Sequence, residues 1–220
     1  MTEQATKRPM KPKDKIQILA LTAILVVFPA VSWYWLSRGL DYRKTAKAEL
    51  KDLGPLPDMA WRNYTGKTLS KADLEGSFVI AGVYDLAQPE LSGQFGREFS
   101  KLHDQFDDRK DVLFLSVVGQ DSTLIPAFVK EYGLADTTQC FFFATTAEAM
   151  KNLAQTGFRM PELDGATSPY IAFADTSSVI RNYYDVRDNA KLKRMVQHIS
   201  LLLPMSKSRD ELRFKREAEK

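Results

Sequence analysis

Between Ile16 and Leu36 the chain runs for 21 residues without a charged side chain. A helix rising about 1.5 Å per residue needs about 20 such residues to cross the hydrocarbon core of a bilayer. Trp33, Tyr34 and Trp35 close the run, where amphipathic aromatic rings suit the headgroup level. Pro29 predicts a kink, which a membrane helix tolerates. Lys7, Arg8, Lys11, Lys13 and Lys15 precede the run, so positive-inside logic places the N-terminus in the cytoplasm. Arg38, Arg43, Lys44, Lys47 and Lys51 follow it and weaken that bias. A cleaved signal peptide would have a shorter apolar region and small residues at its cleavage site, where bulky "SWYWLSRG" stands instead. The expectation is an uncleaved single-pass anchor.

The remaining chain sets the organisation. We expect a cytoplasmic segment over 1–15, a transmembrane helix over 16–36, a juxtamembrane stalk over 37–55, one folded domain over 56–204 and a charged tail over 205–220. About 165 residues outside the anchor suffice for a single hydrophobic core. Lys and Arg number 31 against 28 Asp and Glu, a net charge of +3, so nucleic-acid binding is not expected. Cys140 is the only cysteine, which excludes an intrachain disulfide and a dithiol couple. His103 and His198 with one cysteine cannot form a conventional zinc site unless carboxylates join them. No glycine-rich phosphate loop follows a strand; "GVYDLAQ" lacks the spaced glycines of a dinucleotide fingerprint.

Periodicity supplies the elements. "LGPLPDM" breaks any helix at Pro55 and Pro57. "WRNYTGKTLSKADLEG" predicts a short hairpin around Gly66, then a helical turn capped by Ser70 with Asp73 three residues on. "SFVIAGVYD" is apolar on consecutive positions, as in a central strand covered on both faces. Phe95, Phe99, Leu102 and Phe106 repeat at helical spacing and predict a core-facing stripe. "DVLFLSVVG" predicts a strand, "LIPAFVKEYGL" a helix stopped by Gly133, "CFFFATT" a strand and "AEAMKNLAQTGF" a helix. "SPYIAFADTSSVIRNYYDV" predicts two strands around a turn at Thr176 to Ser178, and "NAKLKRMVQHISLLLP" a closing amphipathic helix. Strands interleaved with helices predict an α/β domain, a mixed sheet with helices on both faces. The terminal strand pair and helix match the closing half of a thioredoxin-like fold.

Three stretches carry a family resemblance. "GKTLSKADLEGSFVIAGVYD", "DVLFLSVVGQDST" and "PYIAFADTSSVIRNYYD" resemble the opening hairpin and first core strand, the second strand, and the last two strands of the Sco/SenC family. The likeness runs from about Leu56 to Leu203. It implies a thioredoxin-like domain on a membrane helix, in a family that handles copper for cytochrome oxidase. That family binds copper through a Cys-x-x-x-Cys loop after the first core strand and a distant histidine. Here the corresponding positions fall on Ala87 and Leu91, to within about one residue, and near Thr167. None offers the thiolate or imidazole that a cuprous ion prefers, and an alanine cannot attack a disulfide. The resemblance also implies that Pro169, just before a late strand, is a cis proline.

The expected function follows. With no ligands there is no expected cofactor or metal and no catalytic residue. The chain is expected to be a non-catalytic accessory or assembly subunit of a respiratory complex in a bacterial inner membrane, with its domain in the periplasm. Haem–copper oxidase or quinol–cytochrome subunits and the lipid bilayer are the expected partners. Tyr84, Leu86, Pro89 and Leu91, at or near the altered loop, are the expected docking residues. Two alternatives stand beside this. One is a metal carrier or thiol enzyme using Cys140 or carboxylates drawn from Asp85, Glu90, Asp164 and Asp175. The other is a periplasmic adaptor of an envelope system.

Overall fold

The computed structural model describes residues 12–58 and 60–203. The basic residues Lys7, Arg8 and Lys11 and the tail over 205–220 lie outside the described residues. The chain divides into two compact units, residues 1–46 and 47–220.

The first unit is helical. Helix α1 (Pro12–Thr22) leads through a π-helical turn (Ala23–Val27) into α2 (Phe28–Ala48). The turn lies where Pro29 demands it. A proline ring clashes with the carbonyl four residues back, here that of Leu25, and Pro29 has no N–H to bond to it. Widening the preceding turn resolves the conflict, and the Phe28 amide donates to Ala23 five residues back. Large apolar side chains from Leu21 to Leu36 stand exposed, with Trp33 and Trp35 each 70% accessible. The helix is long and apolar enough to cross a membrane. The Arg38 guanidinium lies 5.1 Å from the centre of the Tyr34 ring, which keeps a cation at the aromatic end of the run.

The second unit is built on a five-stranded sheet of order β5-β4-β3-β6-β7. Its strands are β3 (Phe78–Tyr84), β4 (Val112–Val118), β5 (Cys140–Ala144), β6 (Tyr170–Ala174) and β7 (Ile180–Asp185). β3, β4 and β5 are parallel neighbours, while β6 pairs antiparallel with both β3 and β7. The strand alternation separates two cores. Phe78, Ile80, Tyr84, Phe114 and Phe142 face helices α4 (Pro89–Phe106), α5 (Ile125–Tyr132) and α7 (Asn189–Leu202). Val79, Val83, Leu115 and Phe141 face α3 (Lys71–Leu74), α6 (Ala147–Asn152) and the small hairpin β1 (Trp61–Arg62) and β2 (Thr68–Leu69). The predicted stripe of Phe95, Phe99, Leu102 and Phe106 is the buried face of α4. Gly133 ends α5 in the left-handed region at φ 69°. The Ser70 amide donates to the Asp73 carboxylate at 2.8 Å, the reach-back half of a capping box, and the Ser70 hydroxyl donates to the same carboxylate at 2.6 Å.

Both outer strands are covered. Beside β5, the Tyr64 amide donates to the Phe142 carbonyl at 2.9 Å, and the Phe142 amide donates to Asn63 Oδ1 at 3.0 Å. Beside β7, the amides of Lys51, Leu53 and Leu56 donate to carbonyls of Arg181, Ile180 and Ser178. Residues 51–55, expected to be stalk, therefore run along the sheet together with Leu56, which is buried in the second core, where Leu53 is half-buried. Unpaired strand edges template association, and these two segments occupy them.

Candidate functional site

The carboxyl end of the central strand carries the site. After Tyr84, Asp85 accepts a hydrogen bond from the Ala87 amide at 3.0 Å and its carbonyl accepts from the Gln88 amide at 3.0 Å. This tight turn delivers Pro89 to the first turn of α4, a position that loses nothing from the missing N–H. A Cβ on Gly119, at the end of β4, would sit 2.5 Å from Asp85 Oδ1, so glycine there leaves room for the carboxylate. The opposite wall is residues 162–169. Asp164 and Thr167 exchange backbone hydrogen bonds at 2.9 and 3.0 Å around Gly165, and the Ser168 amide donates to the Val83 carbonyl at 3.0 Å. Between the walls lies an open cleft of about 790 Å³, lined by Ala87, Pro89, Leu91, Leu163 and Pro169 together with Gln88, Glu90, Gln94, Glu162, Asp164 and Arg187. Arg187 donates to both oxygens of Asp185, at 2.8 and 2.7 Å, and reaches Glu162 at 3.2 Å. The hydrogen bonds from Arg187 hold the Asp185 carboxyl below the usual carboxylate range.

The structure brings Ala87, Pro89, Leu91 and Pro169 to one cleft. Thr167 is adjacent but buried, its hydroxyl donating to the Asp164 carbonyl at 2.9 Å. Leu86 and Leu91 are half-buried and pack on the first core.

Two expectations are corrected. Tyr84 is not an exposed docking residue: it is fully buried. Its ring stacks on Phe95 at 4.3 Å, and its hydroxyl donates to Ser116 Oγ at 2.8 Å. Gly82 permits this, because a Cβ there would meet the Phe95 ring at 2.6 Å. The other correction concerns Pro169. The described residues contain no cis peptide bond, so Ser168–Pro169 is trans. Trans is the intrinsically favoured isomer by about 0.5–1 kcal/mol. Here it satisfies the backbone on both sides: Ser168 donates to Val83, and the Val186 amide donates to the Pro169 carbonyl at 2.9 Å.

The other candidate groups lie away from the cleft. Cys140 begins β5, paired with Phe114, which in turn pairs with Ile80. It is 2% exposed, and burial pushes its thiol up to about 12, so it is neutral near pH 7. His103 is half-buried, with Nε2 3.5 Å from Asp136. Asp175 accepts from the Ser177 and Val179 amides and from Arg181, which holds the β6–β7 turn. Among the described residues no three His, Cys, Asp or Glu side chains gather as a metal site would need.

The cluster that sequence reasoning missed is around His198. The His198 imidazole is fully buried. It shares a hydrogen bond with the Tyr184 hydroxyl through Nδ1, and its Nε2 lies 3.2 Å from Glu49. Arg194 donates to both oxygens of Glu49, at 2.9 and 2.8 Å, and holds that carboxyl below its ordinary value. The only sequence signal is the place of His198 beside Met195 and Ile199 on the buried face of α7. Nothing local points to Glu49, about 150 residues upstream. The cluster fastens the start of the second unit to its last helix.

The geometry has known counterparts. A SCO1/SenC family lipoprotein from Bacillus anthracis superposes with a TM-score of 0.57 at 18% identity, covering 67% of this chain and 94% of its own. BsSco, a member of the Sco family of cytochrome c oxidase assembly proteins in which a disulfide switch was identified, gives 0.52 at 16% identity, over 71% of this chain and 99% of its own. The fold is thioredoxin-like. The thioredoxin domain of a thiol-disulfide oxidoreductase from Bacteroides vulgatus also matches, at 0.50 and 13% identity, over 67% and 96%. No family model matches the chain, and no curated protein matches it. Identities this low establish the shared architecture and leave function to the site itself.

Proposed function

We propose that this is a non-catalytic, membrane-anchored Sco-like protein that serves as an accessory or assembly subunit of a respiratory complex, a cytochrome oxidase or a supercomplex containing one. One observation carries the proposal. The thioredoxin-like frame keeps an open cleft at the end of its central strand, yet the cleft presents Ala87, Leu91 and Pro169 and no thiol or imidazole. The sole thiol of the chain is buried in β5 and held protonated. Neither soft-metal binding nor thiol exchange has a reactive group in the cleft. What remains is a shaped surface with apolar walls and a polar rim, the composition of a protein-docking patch. The exposed apolar helix supplies the anchor. The basic residues that precede it are read by positive-inside logic as a cytoplasmic N-terminus, which puts the domain in the periplasm if the membrane is a bacterial inner membrane. The oxidase partner is inferred from the Sco-like neighbours.

The test is extraction of the tagged full chain in mild detergent, with haem spectra and identification of co-migrating proteins. The expected result is haem–copper oxidase or quinol–cytochrome subunits at constant ratio; their absence would overturn the respiratory assignment. Tight stoichiometric cuprous binding, or turnover lost on Cys140→Ser, would overturn the non-catalytic assignment.

A further inference from the structure

The occupant of the cleft can be specified from its charge. Its walls are apolar, from Ala87 and Leu91 on one side to Leu163 and Pro169 on the other. Its sole lining cation, Arg187, is held by Asp185 and reaches Glu162. Two further carboxylates, Glu90 and Asp164, are exposed on the lining and have no cationic partner among the described residues. The cleft is thus net negative on a chain whose formal charge is +3. Low-dielectric walls focus such a field and draw in the opposite charge. The carboxylates do not gather as a metal site needs, so a divalent ion is a poor match. A flexible ammonium or guanidinium on an apolar-lined stem fits better: stem on wall, head on rim. The volume of about 790 Å³ falls within the range of ligand-binding pockets, and the cleft is open rather than closed.

We propose that this cleft binds an extended, lysine- or arginine-bearing segment of a protein partner. The proposal rests on the non-catalytic docking role above and names the partner's chemistry.

The experiment uses the full chain in non-ionic detergent micelles and fluorescence anisotropy. The probe is a labelled Lys-Leu-Ser repeat of about nine residues, long enough to span roughly 30 Å. Its Glu-Leu-Ser counterpart and empty micelles are the controls. The lysine peptide is expected to bind at least about tenfold tighter than the glutamate peptide, and to weaken as salt rises from about 20 to 300 mM. The double variant Glu90→Lys/Asp164→Lys changes exposed side chains only, and a cooperative urea transition verifies its fold. It is expected to lose about tenfold or more of the lysine-peptide affinity. Equal affinity for the two peptides, equal binding by empty micelles, or full affinity in the double variant would each overturn the proposal. If respiratory subunits still co-purify undiminished with the double variant, the cleft proposal falls while the accessory role stands.

Discussion

Replacing Tyr84 measures whether the end of the central strand is core or docking surface. Tyr84→Phe removes one hydroxyl that donates to Ser116 Oγ, and Ser116 is itself buried. A lost buried hydrogen bond with a stranded partner costs about 1.5 kcal/mol. Tyr84→Ala also removes the ring stacked on Phe95 at 4.3 Å and set edge-on to Phe99 at 6.4 Å. Buried aromatic truncations cost about 3–5 kcal/mol, and loss of the aromatic pairing places this one near the upper end. With a urea slope of about 2 kcal/mol/M, the midpoint falls by about 0.75 M for Tyr84→Phe and by about 2.5 M for Tyr84→Ala. The assay is urea unfolding of the detergent-solubilised full chain, followed by near-ultraviolet circular dichroism. A double-mutant cycle with Ser116→Ala assigns about 1 kcal/mol to the pair. An exposed docking tyrosine would tolerate both changes within about 0.5 kcal/mol. A shift that small for Tyr84→Ala would refute the packing argument.

Two further outcomes are expected. With its thiol pushed up to about 12, Cys140 should resist maleimide at pH 8 in the folded protein and label fully once urea unfolds it; native labelling at the rate of a free thiol would contradict its burial. Glu49, Asp111 and Asp185 are each held below their ordinary values, chiefly by hydrogen bonds from Arg194, Arg109 and Arg187. Their folded forms bind fewer protons than the unfolded chain. The stability they contribute is therefore present above the ordinary carboxylate range, about pH 4, and lost as pH falls through the lowered values. Acid titration of stability should show this loss, and Asp185→Asn should flatten it; an unchanged profile in the variant would contradict the pairing with Arg187.

Much of the fold was legible because its signals are local. The uncharged run, the aromatic stripe of α4, the stop at Gly133 and the capping pair Ser70 and Asp73 each lie within a few helical turns. The continuous apolar run of β3 announced a central strand buried on both faces. The same run misled at its last residue. Tyr84 borders the loop in sequence, but strand alternation turns it onto Phe95, and only Gly82 hints at the room made for that ring. Residues 51–55 read as stalk because they continue a charged, alanine-rich stretch up to the break at Pro55 and Pro57, and backbone pairing with β7 leaves no side-chain pattern. The partners Glu49 and His198 are joined by the tertiary fold alone. In the cleft, the blank positions Ala87 and Leu91 were legible as absences. The opposing wall at Leu163 and Asp164 and the commitment of Arg187 to Asp185 required coordinates.

The proposed respiratory partner of the cleft, as against a metal or a thiol substrate, can be captured directly. A photo-crosslinking residue placed at Pro89, exposed on the cleft rim, tests for it in native membranes, with Lys101 on the exposed side of α4 as the control position. A covalent adduct is expected from position 89, and not from 101, to a subunit of a haem–copper oxidase or quinol–cytochrome complex. Adducts to lipid alone, equal adducts from both positions, or none from position 89 would contradict the proposal.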